Sequence, residues 1–242
     1  MRELAAVSAV FEHELADADP DAPLADVEWT VSDLAAHLGE VYRWATRCII
    51  EGVRPPRTSV PDLAGSPLDW YRESRRLLLD TLDSVDQDAP CYTFSRSDRS
   101  VRFWHRRQLH ETLVHLWDLR STTDPAAPAP VEASTAVCAD SIDEFLDVFV
   151  GRSSAEARVD LGGVLRLEAS DADSSWLLGP DWTLLSTHTT SGATGTATAT
   201  LTATAADLLM VVWNRRTAAP AGAVIASGDG SVIERFRRAP LR

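Results

Sequence analysis

The chain has 242 residues and a formal net charge of −13, a balance that argues against a general nucleic-acid binder. With 45% hydrophobic and 24% charged residues it is globular in composition and long enough for one large domain or two small ones. No apolar run approaches the roughly 20 residues that span a bilayer, and Met1-Arg2-Glu3-Leu4 begins no secretory signal, so no membrane association is expected and the expected compartment is the cytoplasm.

In chain order, residues 3–17 place Leu4, Val7, Ala9, Val10, Phe11 and Leu15 mostly on one helical face, which predicts a helix ending before the polar stretch Asp17–Asp26. His13 lies among charged neighbours and reads as solvated. The run Trp29-Thr30-Val31-Ser32-Asp33 marks the start of a second helix. Thr30 stands three residues before Asp33 in a relative of the capping box, and Ser32 is the alternative cap. Leu34, Leu38, Val41, Tyr42 and Ala45 then form one broad stripe running to about Glu51. His37 falls on that apolar face, where a lone histidine is usually a core residue held by a hydrogen bond. Residues 52–66 are rich in Pro, Gly, Ser and Arg and predict a loop. A third helix is expected from Pro67 to about Val85, with Leu68, Tyr71, Leu78, Leu79 and Leu82 inward. A polar connection over 86–100 follows. Cys48, Cys91 and Cys138 are too scattered for a metal knuckle or a disulfide framework and are expected as reduced, packed thiols.

The fourth helix, about 102–122, is the informative one. Arg106 to Asp118 holds no Gly or Pro, and Leu109, Leu113, Leu116 and Trp117 recur at helical spacing, which predicts an amphipathic helix. Glu111 and His115 stand one turn apart, about 40° around the axis, and can aim at one point. A carboxylate and an imidazole so placed suit a divalent metal, zinc being a natural candidate. The neighbouring His110-Glu111 is not a zinc-protease signature. His110 and His115 are five residues apart, rotated by about 140°, and face different ways. With His37 as a third donor, two imidazoles and one carboxylate leave a tetrahedral ion an open position, the pattern of a catalytic site. Asp118 either orients a ligand from behind or is an exposed helix-end charge. Arg96, Arg99, Arg102, Arg106 and Arg107 either attract a carboxylate substrate or form a solvated face. Four helices with polar loops predict a bundle, whose core is where such sites are built.

Asp124–Pro130 is a Pro/Ala connector and the expected boundary between a bundle at 1–124 and a second domain at 131–242. Beyond it, Glu132–Val150 predicts a helix. Val164–Glu168, Trp182–His188 and Thr196–Thr204 alternate as strands, and Ala205–Asn214 and Ser231–Arg238 return to helix, so the second domain is α+β.

Two stretches resemble one known family. Trp29-Thr30-Val31-Ser32-Asp33-Leu34-Ala35-Ala36-His37-Leu38 is similar to the N-terminal signature of mycothiol-dependent maleylpyruvate isomerases. His110-Glu111-Thr112-Leu113-Val114-His115-Leu116-Trp117-Asp118 resembles their second signature, and Gly228-Asp229-Gly230 before a short helix fits their C-terminal end. The resemblance covers the whole chain. It implies a DinB-like four-helix bundle followed by a domain like sterol carrier proteins, a zinc held by His37, Glu111 and His115, and mycothiol as thiol cosubstrate. It also implies a small electrophilic substrate, carboxylate-bearing in maleylpyruvate, that is attacked by metal-held thiolate and isomerised from cis to trans. A thiol S-transferase is mechanistically adjacent, and a non-catalytic metal- and thiol-binding regulator is the alternative from another class. The resemblance also implies a substrate-side arginine from the second domain, for which Arg215 or Arg216, after Trp213-Asn214, is the expected candidate.

Overall fold

Helix α2 (Val31–Glu51) starts where its cap is built. The Thr30 hydroxyl accepts from the Asp33 amide at 3.2 Å, and the Asp33 carboxylate accepts from the Thr30 amide at 2.9 Å. This reciprocal pairing satisfies two otherwise orphaned donors, so Thr30, and not Ser32, is the cap. The helix ends at Gly52, whose φ of +68° is the left-handed conformation that glycine adopts without steric cost. The structure, a computed structural model, describes residues 2–56, 66–124, 130, 132–154, 158–187, 196–215 and 223–239. Residues 125–129 of the Pro/Ala connector, His188 and Arg216 lie outside the described residues.

The described chain divides into two units, Met1–Val131 and Glu132–Arg242. In the first, α1 (Arg2–Asp17), α2, α3 (Pro67–Ser84) and α4 (Val101–Arg120) form a helical unit. Helix α2 packs on α3 and α4, and α1 packs on α4 and α3. Phe11, Leu34, Leu38, Tyr42, Tyr71, Leu78 and Phe103 fill the core. Polar clasps fix the helix positions. The Tyr71 hydroxyl donates to the Ser8 carbonyl at 3.0 Å, and Arg120 grips both oxygens of Glu14. Arg43 pairs with Glu73 at 2.6 Å while lying 4.1 Å over the Trp70 ring.

Two expectations for this unit need correction. Helix α4 is not amphipathic: of its residues only Arg102 is exposed, while Leu109 is half-buried and His110 fully buried. The helix packs against both α1 and α2 and against the 86–100 segment, so its leucine spacing does not mark a single inward stripe. The connection over 86–100 is also more than a polar loop. Cys91, Thr93 and Ser95 are buried, and Tyr92 and Phe94 join Trp44, Phe103 and Trp104 in an aromatic cluster with ring centroids 4.9 to 6.2 Å apart.

The second unit is a small mixed sheet with helices. Helix α5 (Thr135–Glu144) starts at the Ser134 cap, three residues later than expected. It passes into a π-helical segment at Phe145–Val150. Strands β1 (Leu165–Ala169), β2 (Ser175–Leu178), β3 (Leu184–Thr187), β4 (Ala199–Ala203) and β5 (Ile225–Gly228) lie in the order β3-β2-β1-β4-β5. β1 and β4 run parallel, and the other neighbours are antiparallel. The parallel register sets Leu165 beside Ala199, Leu167 beside Leu201 and Ala169 beside Ala203, a buried face on which α6 (Ala205–Val212) packs. Helix α7 (Gly230–Arg238) closes the unit behind an Asp229 cap. The chain is thus a helical N-terminal region followed by a smaller α+β domain. No helix among the described residues is long and apolar enough to cross a membrane.

Candidate metal centre

His37, Glu111 and His115 come together between α2 and α4, with one donor atom from each within 4.8 Å of the others. Glu111 and His115 meet because a four-residue step along α4 returns to the same face. His37 meets them because the Thr30 cap fixes where α2 begins, two turns earlier. Deeper in the same interface, Tyr42 ties the two helices: its hydroxyl lies 2.6 Å from that of Thr112. Thr112 donates in turn to the Gln108 carbonyl at 2.6 Å, so the Tyr42 hydroxyl is the donor. Burial pushes the Tyr42 hydroxyl up to about 12, which keeps it neutral in that donor role.

The separations favour an ion over a hydrogen-bonded cluster. Glu111 Oε1 lies 3.5 Å from His37 Nε2 and 3.4 Å from His115 Nε2. A hydrogen bond between such groups is typically about 2.9 Å. Ligands about 2.0–2.1 Å from a tetrahedral zinc are instead about 3.3 Å from one another. The spacing therefore fits a divalent ion. His115 is already oriented as a ligand, because its Nδ1 lies 2.9 Å from Asp118 Oδ2. A proton on Nδ1 donated to that carboxylate leaves the Nε2 lone pair facing Glu111. Asp118 is 2% exposed, so it is no exposed helix-end charge.

Exposure grades across the cluster, with side chains at 32% for His37, 15% for Glu111 and 7% for His115. The accessible side is thus the His37 side. There the half-buried Trp29 ring stands 4.7 Å from the His37 ring and 6.3 Å from that of His115, an apolar wall beside the donors.

The five-arginine cluster does not form one face. Arg102 is exposed and paired with Asp88, and Arg99 donates to the Thr93 carbonyl at 2.8 Å. Arg107 is 4% exposed and is paired with Glu111 Oε2. Sequence reasoning missed that last contact, although Arg107 and Glu111 are four residues apart on one helix, the spacing of a same-face ion pair. Arg215, in the second unit, donates from Nη1 to the Trp213 carbonyl at 2.9 Å. All three cysteines are buried, and burial raises Cys138 to about 11, so neither position nor ionisation marks that thiol as a nucleophile.

Two imidazoles and a carboxylate converging inside a helical unit, with a small mixed-sheet domain after it, define a two-domain protein with a candidate metal centre. The sequence matches the family model described as mycothiol maleylpyruvate isomerase N-terminal domain over residues 1–120 and the corresponding C-terminal domain over residues 136–235. The chain belongs to the mycothiol-dependent maleylpyruvate isomerase family. Its fold is similar to the crystal structure of a histidine-to-alanine mutant of mycothiol-dependent maleylpyruvate isomerase, with a TM-score of 0.54 at 13% identity, covering 93% of this chain and 90% of that one. No curated protein matches the chain in sequence.

Proposed function

We propose that the chain is a zinc- and mycothiol-dependent enzyme that acts in the cytoplasm on a small electrophilic carboxylate, as in the cis-trans isomerisation of maleylpyruvate. The observation that carries the reading is the convergence of His37, Glu111 and His115, with one donor atom from each within 4.8 Å of the others and Glu111 Oε1 3.5 and 3.4 Å from the two Nε2 atoms. Family membership supports mycothiol as the thiol. In this reading residues 1–124 form the metal-binding bundle, residues 131–242 the second domain, and Arg215 or Arg216 holds a substrate carboxylate.

A bound divalent ion would lower the pKa of a thiol at its fourth position, supplying thiolate near neutral pH. The chain's own residues do the rest. Asp118 holds His115 in the tautomer that presents Nε2, and Trp29 walls the accessible side against bulk water. In the isomerisation the thiolate sulfur bonds to one carbon of the cis double bond, and the π electron pair moves onto the adjoining carbonyl. The former double bond then rotates, the pair returns, the C–S bond breaks, and the thiol leaves unchanged. No oxidant or reductant is needed. Retention of the C–S bond, with a proton delivered to the neighbouring carbon, would make the same site an S-transferase.

The test is metal content and turnover on one preparation. The purified protein is expected to bind about one zinc per chain and to isomerise maleylpyruvate only with mycothiol present. His37→Ala is expected to lose both metal and activity while keeping its helical circular dichroism. Undiminished turnover after complete removal of metal by chelator would refute the mechanism. Binding of metal and thiol without turnover of maleylpyruvate or of other electrophiles would leave the regulatory reading.

A further inference from the structure

The two oxygens of Glu111 face different partners. Oε1 faces His37 Nε2 at 3.5 Å and His115 Nε2 at 3.4 Å, whereas Oε2 is taken by the guanidinium of Arg107. We propose that Arg107 is a positioning residue that holds Glu111 as a one-oxygen metal ligand and so keeps the fourth coordination position open. The inference rests on the metal-site reading and adds to it how that site keeps a vacancy for its thiol.

Three observations separate this pair from an ordinary helix-surface ion pair. Arg47–Glu51 and Arg76–Asp80 have the same four-residue spacing, but their side chains are 33% and 38%, and 62% and 64%, exposed, where such a pair contributes little. Arg107 and Glu111 are 5% and 15% exposed, so their attraction is screened by solvent far less than that of the two exposed pairs. Second, a carboxylate beside a cation can close on it with both oxygens. A guanidinium holding Oε2 competes with that closure, through a directional N–H contact from a planar group that a freely rotating ammonium would not reproduce. Third, the charges balance in a useful direction. Two neutral imidazoles and Glu111 leave a divalent ion one surplus positive charge; Asp118 cancels it, and Arg107 restores it. A site with a net positive charge and one open position favours an anionic fourth ligand, as a thiolate is.

The experiment is cobalt(II) substitution of the full-length chain, since the visible bands of cobalt are strong in four-coordinate and weaker in five-coordinate sites. The wild type is expected to give strong four-coordinate bands. Arg107→Met is expected to weaken cobalt affinity by about 10- to 100-fold, the usual loss when an outer partner of a ligand is removed. It should also shift the bands toward the weaker five-coordinate pattern as Glu111 closes on the ion. Arg107→Lys, which keeps the charge without the planar group, is expected to move both readouts the same way by less. A purely structural role would lower the melting temperature of the chelated protein and leave the bands as they were.

Wild-type bands and affinity in Arg107→Met would overturn the inference while leaving the metal site standing. If that variant fails to fold, wild-type behaviour in Arg107→Lys overturns it equally. A wild type that takes up no cobalt would overturn the site reading and this inference together.

Discussion

Helices α4 and α6 are both buried along most of their length, yet α6 buries only apolar side chains whereas α4 buries polar and charged ones as well. α6 buries Ala205, Leu208, Leu209, Met210, Val211 and Val212, each of the larger ones contributing about 1.5–3 kcal/mol by leaving water. α4 buries Arg107, Gln108, His110, Thr112, His115 and Asp118 among its apolar residues. Burying such groups costs free energy unless each finds a partner. Several are matched with one another or across to α2: Arg107 with Glu111, His115 with Asp118, Thr112 with Tyr42. One helix supports its fold and the other carries a charged constellation that its fold must support. The difference singles out α4 as the helix that carries the candidate metal centre.

Leu208→Ala offers the strongest test of that division. Leu208 is fully buried, and truncation of such a leucine typically costs about 2–5 kcal/mol. The expected result is a large loss of stability in the second unit, read from denaturant unfolding, with metal uptake by the folded protein unchanged. Equal loss of metal affinity in Leu208→Ala would erase the distinction between the two helices.

Asp118→Asn probes the other side with a smaller effect. The amide keeps the shape and an acceptor for His115 Nδ1 but removes the charge that raises the basicity of the ring. Metal affinity is expected to fall by about 10- to 100-fold, measured by competition with a chelator, with little change in the unfolding of metal-free protein. An affinity equal to wild type would return Asp118 to a structural role.

The same contrast explains what could be read from the sequence. His37, Glu111 and His115 are legible because helical spacing turns residue numbers into angles, and because the Thr30–Asp33 box fixes where that count begins on α2. Arg107 is not, since its charge alone suggests a solvated face. Burial of α4 comes from α1, α2 and the 86–100 connection, and nothing within the helix's own sequence announces it. In the second unit the alternation of β1 and β4 is plain, since each turns one face to α6. β2 escapes a search for alternation because Ser175-Trp176-Leu177-Leu178 is buried on both faces. β5 escapes it because Ile225-Ala226-Ser227-Gly228 is exposed throughout and is held by its pairing with β4. The π-helical winding at Phe145–Val150 accompanies packing of Phe145 and Phe149 against Trp213, with ring centroids 5.1 and 4.8 Å away, contacts remote in sequence.

The smallest expected effect lies at the second unit's last cap, and its sign is fixed. Asp229 Oδ1 accepts from the Ser231 amide at 2.8 Å, and the backbone and side chain of Ser231 hold the Asp229 carboxyl below its ordinary value. A carboxyl held low in the folded state stabilises above its unfolded value, about 3.9, and loses that contribution as pH falls through the folded one. Amide exchange along α7 is therefore expected to be faster in Asp229→Ala than in wild type at neutral pH. The gap should be constant down to about pH 4 and should close below it as the wild-type cap takes up its proton. Comparison of the two proteins at each pH removes both the intrinsic pH dependence of exchange and the contribution of Asp181, held low by Thr183. A gap that widened on acidification would mean that the carboxylate is not what secures the start of α7.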